Sequence, residues 1–137
     1  MTGLVVCVLV LAAASAHRVP QRRRSGRVRV YGRDEGERLD AAELGAPLGE
    51  RATLVQFSSA FCAPCRATRR VLGEVVAVVP GVTHVEIDAE AHLDLVRRLE
   101  IVKTPTVLVL DADGRVVRRA AGQPRKADVI AALGEAV

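Results

Sequence analysis

The chain has 137 residues, enough for one domain with an appendage. Half of them are hydrophobic, so a core can be built, but Tyr31, Phe57 and Phe61 are the only aromatics, which argues against the base-stacking platforms of nucleic-acid binders. Six of the 20 basic side chains and none of the 16 acidic ones fall in residues 1–30, so the net +4 belongs to that segment and residues 31–137 carry 14 bases against 16 acids. A basic nucleic-acid face is therefore not expected, and three cysteines are too few for a disulfide-stapled scaffold.

Residues 1–17 are hydrophobic, with no charge between Gly3 and Ala16. As a helix this run covers about 21 Å against about 30 Å of hydrocarbon, a marginal span that snorkelling of Arg18 would help. A secretory signal would need a basic start, which is absent, although Ala14-Ser15-Ala16 suits a cleavage site. The Arg-rich linker 18–30 follows the apolar run directly. Positive flanks stay in the cytoplasm. The expectation is a single N-terminal span in the cell membrane with the domain, residues 31–137, on the cytoplasmic side; secretion is the alternative. Cys7, inside the apolar run, reads as a small hydrophobe in a helix.

Arg27 to Val30 alternates polar and apolar, so it reads as a first strand. Asp40 to Leu44 predicts a short N-capped helix and Gly45 to Arg51 a loop. Thr53 to Phe57 ("TLVQF") predicts a buried strand. From Cys62 to Val79 the spacing predicts a helix, with Ala67, Val71, Leu72, Val75, Val76 and Val79 as its apolar stripe and Arg66, Arg69, Arg70 and Glu74 opposite. Val82 to Ile87 is a second strand. Ala91 to Leu99 is a short helix with Leu95 and Leu99 inward. Thr106 to Leu110 and Arg115 to Ala120 form an antiparallel hairpin through a two-residue turn at Asp113-Gly114. Pro124 to Ala136 is a last amphipathic helix. Strand–helix–strand implies parallel pairing and the hairpin adds antiparallel strands, giving an α/β fold: one mixed central sheet with helices on both faces.

Cys62 and Cys65 stand at the junction of the buried strand and the long helix. A helix start presents unpaired N–H groups and about half a positive charge, both of which stabilise a thiolate. Cys62 is therefore the expected exposed nucleophile and Cys65, one turn inside, the resolving thiol. Pro64 suits the first turn, where its missing N–H is not needed, and Arg66 adds positive charge. Two rival readings stay open. A zinc site needs four ligands, yet only these two cysteines are close, and His17, His84 and His92 lack ligand spacing. The pair could also be two ordinary buried cysteines.

From about residue 31 onward the chain resembles the thioredoxin family. Cys62-Ala63-Pro64-Cys65 is similar to the family's Cys-Gly-Pro-Cys, and Phe61 stands where Trp is usual. Thr104-Pro105-Thr106 resembles the loop whose proline is cis and faces the dithiol, and Gly122 matches a glycine on the same surface. The resemblance implies a thioredoxin fold and a thiol–disulfide oxidoreductase that reduces protein disulfides. It implies no cofactor and no metal; electrons come from a separate reductase or a low-molecular-weight thiol. Phe61 (as a lid residue), Ala63, Pro64, Thr104, Pro105 and Gly122 would form the active-site surface of a monomer. Three departures stand out. Gln56 occupies the position of the family's buried acid; His84 aligns with that acid's usual lysine partner; and Arg70 replaces the proline that kinks the helix. His84 and Gln56 are thus candidates for a proton relay, with His84 acting as a base through water, or His84 is simply a half-buried polar residue on a strand. Gln56 and Phe61 keep a second function in view, a thioredoxin-fold binding or redox-sensing module with little catalytic activity.

Overall fold

The computed structural model describes the backbone of residues 1–24, 28–30 and 36–137 and the side chains of 1–13 and 36–137. Its elements are α1 (Thr2–Arg24), β1 (Val28–Val30), α2 (Ala41–Leu44), β2 (Ala52–Ser58), α3 (Ala63–Val78), β3 (Val82–Asp88), α4 (Leu93–Arg98), β4 (Thr106–Asp111), β5 (Val116–Ala121) and α5 (Lys126–Ala136). Arg27, where the sequence begins the first strand, and residue 31, where it begins the domain, lie outside the described residues.

One sheet runs in the order β1-β5-β4-β2-β3. The α3 crossover makes β2 and β3 parallel, with Gln56 opposite Glu86. β4 lies antiparallel to β2, β5 to β4, and β1 to β5 on the outer edge. Side chains alternate across the sheet. Val55, Phe57, Val85, Ile87, Leu108 and Leu110 point to one side, where they meet Leu44 of α2 and Leu99 just after α4. Leu54, Val82, Val107 and Val109 point to the other, where Leu72 and Val75 of α3 and Val129 and Leu133 of α5 cover them. Helices therefore flank both faces of a mixed sheet, as the sequence predicts.

Local chemistry explains the element ends. Asp40 caps α2: its Oδ1 accepts from the Glu43 N–H at 2.8 Å, while Glu43 Oε2 accepts from the Asp40 N–H at 3.1 Å. Glu43 also accepts from Arg98 Nη1, a bond that holds its carboxyl below the usual range and ties α2 to the end of α4. The buried face of α3 centres on Cys65, Thr68, Leu72 and Val75; the predicted Ala67, Val71, Val76 and Val79 form half-buried flanks.

Two expectations fail. The hairpin turn is a three-residue loop, Ala112-Asp113-Gly114, closed by the Asp111 N–H donating to the Arg115 oxygen. A two-residue type I′ turn needs positive φ at both central residues, and here only Gly114 has it, at +83°. Asp111 Oδ1 selects the longer loop by accepting from the N–H groups of Asp113 and Arg115, each at 2.9 Å. The second failure is the membrane span. Among the described residues no helix is long and apolar enough to cross a membrane. The apolar run ends at Ala16, and α1 continues through His17, Arg18 and Arg22 to Arg24, so its last third is polar. The cell-membrane placement, the membrane contact and the cytoplasmic orientation derived from that span fall with it.

Candidate functional site

The carboxyl ends of β2 and β3, the start of α3 and the loop before β4 converge at one end of the sheet. Cys62 is the N-cap of α3, and its Sγ accepts from the Cys65 N–H at 3.2 Å. Pro64 lies within the first turn, where no N–H is missed. The two cysteines are joined as a disulfide with Cα atoms 5.2 Å apart. Their exposure is unequal: Cys62 is partly exposed, whereas Cys65 is 2% exposed and faces the sheet.

Three neighbouring segments are tied to this end of the sheet. Thr104-Pro105 is a cis peptide bond, and the Thr104 hydroxyl shares a hydrogen bond of 2.7 Å with the hydroxyl of Ser59, in the loop between β2 and Cys62. The Gly122 N–H, just after β5, donates to the Pro105 oxygen at 2.7 Å. The Ala89 N–H donates to the Ser58 oxygen at 2.8 Å, binding the β3–α4 loop to the same end. Phe61 has φ +57° and is fully exposed. The left-handed turn that brings the chain from β2 into α3 throws its ring into solvent, so the ring covers neither sulfur and is no lid. Ala63 and Pro64 are also exposed.

Gln56 is completely buried beneath the first turn of α3. Its Nε2 donates to the main-chain oxygen of Cys65 at 2.8 Å and to Ser58 Oγ at 2.9 Å. The oxygen of Cys65 can only accept, which assigns the amide nitrogen to that side. Gln56 Oε1 therefore accepts from His84 Nε2 at 3.1 Å, and His84 carries its proton on Nε2. Burial pushes the His84 pKa below its ordinary value; Glu86 opposes this and Arg69 adds to it. The residues aligned with the family's acid and lysine are thus in contact, but their bond to Cys65 reaches its backbone, not its sulfur.

The sequence reading missed Ser58, Ser59, Glu86 and Arg69. Arg69 Nε and Nη2 each donate to Glu86 at 2.5 Å. That bond holds the Glu86 carboxyl below the usual range, and burial works against it. Strand alternation alone puts Gln56 with Ser58 and His84 with Glu86; the register joining the two strands was the missing signal.

The thioredoxin family model matches residues 42–135. Thioredoxins of Mycobacterium tuberculosis and Mycobacterium bovis are 31% identical over 85 residues, covering 61% of this chain and 72% of theirs. That of Mycolicibacterium smegmatis is 31% identical over 87 residues, covering 61% and 77%. Among solved structures, a mutant thioredoxin from Halobacterium salinarum superposes with a TM-score of 0.58 at 17% identity, covering 64% of this chain and 75% of that one. Fasciola hepatica thioredoxin gives 0.57 at 18% identity, covering 71% and 88%. The chain belongs to the thioredoxin family. With its Cys62-x-x-Cys65 pair at disulfide distance it is a thiol–disulfide oxidoreductase, and membership implies protein disulfides as substrates and a reductase as partner.

Proposed function

We propose that the protein reduces protein disulfides in two exchange steps, with Cys62 as nucleophile and Cys65 as resolving thiol. The carrying observation is the asymmetry of the pair: Cys62 is the accessible N-cap of α3, with an N–H aimed at its sulfur, and Cys65 is buried behind it. The Cys62 thiolate attacks one substrate sulfur, forming a mixed disulfide and expelling the other sulfur as a thiolate. Cys65 then loses its proton and attacks Cys62 Sγ. The Cys62–Cys65 disulfide forms, the second substrate sulfur leaves, and two electrons have passed to the substrate. A separate reductase or a low-molecular-weight thiol returns the dithiol.

In this reading Phe61, Ala63, Pro64, Thr104, Pro105 and Gly122 form the surface on which an extended substrate lies. Gln56 does not titrate, so the proton of Cys65 passes to water, with neutral His84 as the base on that side of the sheet. Nothing in the cycle needs a second copy, and a monomer suffices.

The test is a Cys65→Ser variant, which should accumulate mixed disulfides with substrate proteins that a strong reductant releases. Wild-type protein should reduce a model peptide disulfide, and Cys62→Ser should lose at least about 100-fold of that rate. A Cys65→Ser protein that traps nothing, together with a wild type that reduces nothing, would overturn the proposal.

A further inference from the structure

Gln56 neither reacts nor titrates in the exchange steps above, yet it is completely buried against the first turn of α3. A buried amide is costly unless its groups are paired, and three partners surround this one. Its Nε2 donates to the Cys65 oxygen at 2.8 Å and to Ser58 Oγ at 2.9 Å. Its Oε1 accepts from His84 Nε2 at 3.1 Å. His84 stands opposite Leu54 in the parallel pair and reaches Gln56 diagonally. The direction of the amide matters. Turned over, it would set Oε1 against the Cys65 oxygen, two acceptors with no proton between them, and its NH2 group against the Nε2–H of His84. The His84 proton therefore favours the orientation in which Gln56 donates to Cys65.

We propose that Gln56 is a positioning residue that holds the backbone of Cys65 for its attack on Cys62, and that His84 acts through Gln56 by fixing the direction of its amide; the proposal rests on the roles assigned above to the two cysteines. Cys65 is held at both ends of its backbone. Its N–H donates to Cys62 Sγ at 3.2 Å, and its oxygen accepts from Gln56. In the mixed disulfide Cys62 Sγ is bonded to the substrate, so the first tie depends on where the substrate sits. The second tie does not involve that sulfur. Cys65 lies in the first turn of a helix, where backbone groups outnumber their helical partners and ends fray. Without the Gln56 donor, Cys65 would wander more and line up with Cys62 Sγ less often. The attack of Cys62 on substrate uses a partly exposed sulfur that Gln56 does not touch. The second step should therefore respond and the first should not.

The experiment is rapid mixing of the reduced full chain with a fluorophore-labelled peptide disulfide, following formation and decay of the mixed disulfide separately. Decay is measured against pH and described by a midpoint and a high-pH plateau. On the plateau Cys65 is already a thiolate, no base is needed, and only positioning is left to set the rate. Gln56→Met, similar in length but without a donor, should lower the plateau roughly 3- to 10-fold while formation stays within about 2-fold, the size expected of a small misplacement of a reacting group. His84→Leu should lower it in the same direction. His84→Gln keeps an N–H to offer but cannot titrate, and should lower the plateau less than His84→Leu. The two His84 variants change a half-buried side chain, so they carry the test if Gln56→Met fails to fold. A plateau unchanged in the folded variants, with only the midpoint moved, would make the role proton transfer and overturn the proposal. So would formation and decay slowed in parallel, or His84→Gln falling as far as His84→Leu. Absence of any mixed disulfide in the wild type would sink the assignment of the two cysteines, and this proposal with it.

Discussion

The two faces of the β2–β3 pair diverge along their length. On one face Val55, Phe57, Val85 and Ile87 stay apolar to the carboxyl ends of the strands. On the other, Leu54 and Val82 lie under Leu72 and Val75 of α3, and then the side chains turn polar at Gln56, Ser58, His84 and Glu86. The change falls where α3 begins and Cys65 is seated. Gln56 and Ser58 are buried and His84 is half-buried, which is costly unless each finds a partner; the directional bonds around Gln56 supply those partners. The apolar face therefore concentrates stability, and the polar face concentrates the directional bonds that reach the backbone of Cys65.

Substitutions on each face test that division. Phe57 is fully buried, and Phe57→Ala should lower unfolding free energy by about 3–5 kcal/mol in denaturant titration. Both exchange steps should change little while the protein remains folded. If Phe57→Ala prolongs the mixed disulfide as much as a Gln56 variant does, the division between faces breaks. Gln56→Leu should cost less stability, about 1–3 kcal/mol, because it strands the His84 N–H and removes a donor from Cys65 while adding apolar volume. Its effect on the second exchange step should exceed that of Phe57→Ala, measured by the same mixed-disulfide decay.

Smaller effects appear in pH titrations. The Arg69 guanidinium holds the Glu86 carboxyl below its ordinary value of 4.5 in the folded chain, so the stability it contributes is present above that range and is lost as pH falls through the folded value. The gap in unfolding free energy between wild type and Glu86→Gln should shrink on acidification below about pH 4.5. His84 is also lowered, from 6.5, but as a base its sign follows from proton uptake. Below about pH 6.5 the unfolded chain binds a proton that the folded chain resists, so stability falls as pH drops. His84→Gln should flatten the stability profile between about pH 7 and 5. A profile that keeps its slope in that variant would assign the titration elsewhere.

Much of the fold was legible because its signals are local. The alternation of apolar residues placed the strands. Asp40 marked the capped start of α2, and the Cys-x-x-Cys marked the start of α3. The resemblance around Thr104-Pro105 and Gly122 located a cis bond and a glycine that the structure joins through the Pro105 oxygen. The misreadings concern competition between local options. The hairpin loop was set by side-chain bonds of Asp111 rather than by the Asp-Gly pair, and the N-terminal run was judged on its apolar half, whereas the helix continues into arginines.

By itself the sequence determined the order of elements, the family, and the pair of thiols at a helix start, since these depend on residue type and short spacing. Only the tertiary structure decided that Gln56 meets the backbone of Cys65, that His84 meets Gln56, and that an ion pair between Arg69 and Glu86 ties α3 to β3. Those contacts need the parallel register of β2 with β3 and the seat of α3 above them. Register arises from packing between segments 28 residues apart, as Gln56 and His84 are, and no local pattern encodes it.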